Sequence, residues 1–125
     1  MEASKNFRNI FKNISPLDHR YSISEEALFD ALLPWISEEA SVKACVKAET
    51  ALAAAHLALR GRLTQELKAE LENAAASVDP AEVYAEEEKT RHNIRALVNV
   101  IKRKVPAEAA PLVHLGATSV DILDT

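Results

Sequence analysis

Glycine is scarce in this chain: 2 residues in 125, beside 1 cysteine and 5% aromatic side chains. So few glycines leave little to build the left-handed turns of a hairpin-rich β fold, and the balance moves to helices. The two glycines, Gly61 and Gly116, stand alone, so no glycine-rich phosphate loop exists. The lone Cys45 excludes an internal disulfide and cannot build a metal site by itself. Its place in a helical stretch reads as a buried structural thiol. No apolar run approaches membrane-spanning length. Met1-Glu2-Ala3-Ser4-Lys5 lacks the apolar centre of a signal peptide, so a cytoplasmic protein is expected. Positive charge is in deficit as well. A net charge of −4 gives no bulk electrostatic case for nucleic acid, and neither nucleic acid nor membrane is expected as a partner.

What the chain does contain is 48% hydrophobic residues, many of them alanine, together with Leu, Glu and Lys, which are good helix formers. Met1 to Tyr21 reads as a polar arm with a turn at Pro16 and Asp18. Ser22-Ile23-Ser24-Glu25 has the form of a capping box that opens a first helix, which Pro34 ends or bends. Ser37 caps a second helix running to Arg60, with Gly61 at its left-handed end. Val42, Cys45, Val46, Leu52 and Leu59 are its apolar positions. A third helix is predicted over 64–76, with Leu63, Leu67 and Leu71 four apart. Asp79-Pro80-Ala81-Glu82 is a strong helix start, and helix is expected to about Lys104. Within it Ile94, Leu97, Val98, Ile101 and Val105 form a clean stripe, while Thr90 could cap a separate helix with Asn93 at its third position. Pro106 and Pro111 bracket a loop before the closing segment. The fold class is all-α: a small domain of four to five helices, with an arm over 1–21, a helical domain over 22–112 and a loop leading into the next long helix over 113–125.

The chemistry-bearing residues are few. Arg91-His92-Asn93 places a guanidinium, an imidazole and an amide together, a set suited to a polar anionic ligand. On an unbroken helix His92 would point about 160° from the Ile94 stripe, which makes a solvated face the plain alternative. On an unbroken helix His92 makes no core contact, so the site reading leaves the melting temperature of His92→Ala nearly unchanged. Arg20-Tyr21 follows the turn-forming Ser15-Pro16-Leu17-Asp18, where a guanidinium fork and a phenol can clamp phosphate. His56 lies on an alanine-rich face and reads as a packed or surface histidine. In the closing segment, Thr118 and Asp121 make a second capping box, and Gly116-Ala117 leave room for close approach to the backbone. A helix N-terminus there would suit a carboxylate or phosphate. The chain stops just as this helix begins, which reads as an N-terminal fragment.

Ser15-Pro16-Leu17-Asp18-His19-Arg20-Tyr21, Thr90-Arg91-His92-Asn93 and His114-Leu115-Gly116-Ala117-Thr118-Ser119-Val120-Asp121 resemble, in order and spacing, the N-terminal region of the adenylosuccinate lyases of the fumarase/aspartase superfamily. The resemblance implies an all-helical homotetramer whose active sites are each shared by three subunits. It implies elimination of fumarate from adenylosuccinate and from the related imidazole carboxamide ribotide, in purine synthesis, with a purine nucleotide substrate and no cofactor or metal. Arg20 and Tyr21 then match residues at the substrate phosphate. Arg91, His92 and Asn93 match a substrate-binding triplet, with His92 as the catalytic candidate and Asn93 standing where the family has aspartate. His114, Thr118 and Ser119 match the first active-site segment. The family's further histidine segment and serine loop have no counterpart in these residues, so the chain alone is expected to be inactive and, without the central bundle, a monomer or weak dimer. The competing readings are another superfamily lyase, such as a carboxymuconate cycloisomerase-type enzyme, and a non-catalytic helical module.

Overall fold

The computed structural model describes Arg20 and residues 24–125. Among these residues there is no strand. Five main helices follow in order: α1 Glu26–Ile36, α2 Glu38–Leu59, α3 Gln65–Ala76, α4 Pro80–Thr90 and α5 Asn93–Lys104. A single 3-10 turn over Ala110–Leu112 and the short helix α6, Ser119–Leu123, complete the set. The domain is all-α, as the composition and capping signals implied. By compactness it divides into a unit ending at Ser37, which holds α1, and a unit from Glu38 to Thr125.

In the first unit α1 begins after Glu25, with no side-chain capping bond. Ser22 and Ile23 lie outside the described residues. Pro34 sits within α1, which runs on only to Ile36. Proline there removes the amide bond to the Asp30 carbonyl and its ring crowds that carbonyl, and the helix ends two residues later.

The second unit shows how local signals set most of the boundaries. α2 ends in a Schellman arrangement: the Gly61 N–H reaches the Ala58 carbonyl at 2.9 Å and the Arg62 N–H reaches Leu57 at 2.9 Å. Gly61 takes φ +64°, which any side chain would strain. The Thr64 hydroxyl accepts from the Leu67 N–H at 3.1 Å and starts α3. At α4, Asp79 Oδ1 accepts from the Ala81 N–H at 2.9 Å, and Glu82 reaches back to the Asp79 N–H.

The expected continuous helix to Lys104 is broken. Arg91 adopts the left-handed conformation (φ 54°, ψ 29°) and His92 an extended one (φ −153°, ψ 118°), so the chain reverses within two residues. The cap of the new helix is His92, not Thr90. α4 and α5 form an antiparallel hairpin. Lys104 pairs with Glu82 at 2.8 Å, and the nearly buried Glu86 accepts from Asn99 at 3.0 Å and from Arg103 at 3.3 Å. A straight helix would leave these partners roughly 20–30 Å apart, at 1.5 Å per residue.

α5 is the hub. It packs against α2, α3, α4 and α6. Ile94, Leu97, Val98, Ile101 and Val105 are all buried, as the stripe required, but so are Ala96 and Val100 on its other flank. A helix covered by neighbours on several sides needs apolar residues beyond one stripe. On α2 the buried line runs through Cys45, Val46, Glu49, Ala53 and Leu57, while Leu59 is exposed. Burial, then the Glu49 and Glu38 carboxylates, raise the Cys45 thiol above its ordinary value, so it stays protonated.

Candidate functional site

His92 is positioned by the break between α4 and α5. Its Nδ1 accepts the Arg95 N–H at 3.1 Å, in the manner of an N-cap side chain. A nitrogen that accepts carries no proton, so the ring proton of neutral His92 is on Nε2. The Thr90 hydroxyl closes the turn by donating to the His92 carbonyl at 3.0 Å.

His114 is positioned by the turn between the 3-10 segment and α6. It holds a left-handed backbone, φ 64°, unusual for a residue with a side chain. Its Nδ1 lies 2.6 Å from Oε1 of Glu49 on α2. Glu49 is fully buried, and its Oε2 has no hydrogen-bond partner among the described residues. Burial raises the Glu49 carboxyl above its ordinary value, opposed by His114 through its ring and backbone and by the charge of Lys102. One residue further on, His56 donates from Nε2 to the Leu115 carbonyl at 2.8 Å, while Arg60 donates to His56 Nδ1 at 3.2 Å. Glu49 and His56 are seven apart, two helical turns, and so lie on one face of α2. The His114–Leu115 step is therefore tied to α2 at two points.

These two imidazoles meet in one place. His92, Arg95, His114 and Ser119 line a recess whose apolar wall is Ile94 and Val98. The arrangement brings His92 and Arg95 from the start of α5, His114 from the turn before α6 and Ser119 from the start of α6 to one surface. It is suited to a small anionic, hydrogen-bonding group.

The structure does not bring all the sequence candidates there. Arg91 lines a different hollow with Tyr84, Glu87 and Glu88. Asn93 lines a third, with Cys45 and Leu97, and its Oδ1 accepts its neighbour Ile94's N–H at 2.8 Å. The left-handed Arg91 fans the three adjacent residues apart. Thr118 is engaged locally: its N–H and hydroxyl both donate to Asp121 Oδ2, at 2.8 and 3.0 Å. Those bonds, the backbone one first, lower the Asp121 carboxyl below its ordinary value. With five residues and that carboxylate in place, α6 is not itself an open anion site. Gly116 serves the turn through φ +77° rather than close approach, since nothing lies within 4 Å of where its Cβ would be. Arg20 is exposed in a turn, and Tyr21 lies outside the described residues. No group of three or more His, Cys, Asp or Glu is gathered for a metal among the described residues.

Sequence reasoning missed Arg95 and Glu49. Arg95 was readable as the third residue after a helix cap, had the break been placed at His92. Glu49 carried one signal, an acid falling on the Val42–Cys45–Val46 line of α2.

The chain is 38% identical over 112 residues to adenylosuccinate lyase of Archaeoglobus fulgidus. It is 31% identical over 114 residues to adenylosuccinate lyase of Methanocaldococcus jannaschii. Both alignments cover 90% of this chain. The chain is a relative of adenylosuccinate lyase. It spans about a quarter of the length of the curated relatives it matches, 23% of each. No family model matches it, and no solved structure does. No helix among the described residues is long and apolar enough to cross a membrane.

Proposed function

We propose that the chain supplies one wall of the active site of a cytoplasmic C–N lyase that eliminates fumarate from adenylosuccinate and from the succinyl imidazole carboxamide ribotide. The observation that carries this reading is the recess shared by His92, His114 and Ser119, three residues from two separate matched segments. A succinyl nucleotide has carboxylates and a phosphate for the Arg95 guanidinium and polar groups for the imidazoles. His92 works through Nε2–H, because protonating Nδ1 would break the cap on α5. Arg20 and Tyr21 hold the substrate phosphate, with Arg91, Asn93 and Thr118 in supporting contacts from neighbouring surfaces. Elimination needs a base at the carbon beside the carboxylate and an acid at the departing nitrogen. The remaining groups come from other segments and subunits of a homotetramer, so the chain by itself turns nothing over.

A chimaera tests this. The 112 matched residues of the Archaeoglobus fulgidus lyase are replaced by those of this chain, and fumarate release from adenylosuccinate is followed. The expected result is measurable turnover, cut on the order of a hundredfold by His92→Asn, which keeps a capping side chain but loses the Nε2 donor. A folded tetrameric chimaera without activity, or one indifferent to His92→Asn, would overturn the reading in favour of a non-catalytic helical module.

A further inference from the structure

Among the described residues Glu49 is the one buried acid, and the lyase reading leaves it unused. It lies on the buried line of α2 between Val46 and Ala53 with one oxygen unpartnered, a costly placement for a carboxylate with only a packing role. Its other oxygen is committed to His114, sixty-five residues away. His114 in turn holds a left-handed backbone, a conformation that persists only where surroundings impose it.

We propose that Glu49 is a positioning residue, holding His114 in the tautomer with its proton on Nδ1 so that the Nε2 lone pair is what the recess receives. His92 is fixed in the opposite sense. Its Nδ1 accepts the Arg95 N–H, which leaves the ring proton on Nε2. The recess thus presents an imidazole donor from the start of α5 and an imidazole acceptor from the turn before α6, beside the Arg95 cation. That pattern recognises a ligand with a group that both donates and accepts, such as a sugar hydroxyl, next to an anion. A nucleotide monophosphate has both. The charged groups around the pair are Asp121 of α6 beside His114, and Lys102 of α5 beside Glu49. The ligand assignment rests on the lyase reading; the tautomer assignment does not.

The test is long-range ¹H–¹⁵N correlation on the chain with ¹⁵N-labelled histidine at neutral pH. Wild-type His114 is expected to show a protonated Nδ1 and an unprotonated Nε2, and His92 the reverse. Glu49→Leu matches the volume of the acid without an acceptor, and should return His114 to the Nε2–H form. Glu49→Gln keeps an amide oxygen on Nδ1 and should preserve the wild-type pattern. A purely structural Glu49 would leave the nitrogen signals of a folded Glu49→Leu chain unchanged, which overturns the proposal. Should Glu49→Leu not fold, the wild-type spectrum decides alone, since an unprotonated Nδ1 in His114 is incompatible with it. No substrate enters the measurement, so it can fail while the chimaera turns over, and the reverse.

Discussion

Glu49 Oε1 and His114 Nδ1 stand 2.6 Å apart, joining the buried face of α2 to the turn that leads into α6. The contact links a fully buried side chain to one that is a quarter exposed. A polar group at the recess is thereby anchored in the core rather than on a loop.

The pair gives stability a defined pH dependence. Burial raises Glu49 above its ordinary value of 4.5. A carboxyl whose folded value exceeds its unfolded one contributes stability that is complete below the unfolded value and lost as pH rises through the folded one. The melting temperature of wild type minus that of Glu49→Gln is therefore expected to fall as pH rises above about 4.5. Glu82, Glu86 and Asp121 are lowered and act with the opposite sign, but they are common to both proteins and cancel. A difference that stays flat or grows over this range, in scanning calorimetry, contradicts the assignment.

His92→Ala is expected to destabilise the chain, contrary to the unbroken-helix geometry. Removal of a capping side chain costs about 1 kcal/mol. For a domain of this size that lowers the melting temperature by roughly 4 °C. His92→Asn should recover most of the loss. Equal melting temperatures for wild type and His92→Ala would show that the bond to the Arg95 N–H carries no weight.

Arg91→Gly should stabilise. An L-residue in the left-handed region costs roughly 1–2 kcal/mol, and glycine does not incur it. Glycine's greater freedom in the unfolded chain offsets roughly half, leaving a gain of up to about 1 kcal/mol. Urea unfolding measures it, with Arg91→Ala as the control that should show no gain. A lower midpoint for Arg91→Gly would mean that the side chain, not the backbone, holds the turn.

His56→Ala should loosen the closing turn without unfolding the core. Two hydrogen bonds are removed, the one Nδ1 accepts from Arg60 and the one that reaches the turn, from Nε2 to the Leu115 carbonyl. At about 0.5–1.5 kcal/mol, loss of the second speeds amide exchange at Leu115 and Ala117 by roughly two- to tenfold. Exchange at Val98 and Ile101, buried in α5, should not change. Uniform acceleration across both sets would make His56 a global stabiliser instead.

Three helix starts were legible because capping is local. Asp79 with Glu82, Thr64 with Leu67 and Thr118 with Asp121 each act across three residues, a distance the sequence displays directly. The Ile94 to Val105 stripe was legible because burial repeats with the helical period. The family, too, was written in the chain, through segments whose order and spacing survive without any coordinates. Tertiary structure alone decided which of the candidate residues share a recess. Periodicity assumes that the helix continues, and one left-handed residue, Arg91, sends Arg91, His92 and Asn93 to three different hollows. Likewise nothing near Glu49 in the sequence explains an acid on an apolar line. Its partner arrives from sixty-five residues away, and only folding brings the two into the low-polarity interior, where each fixes the other.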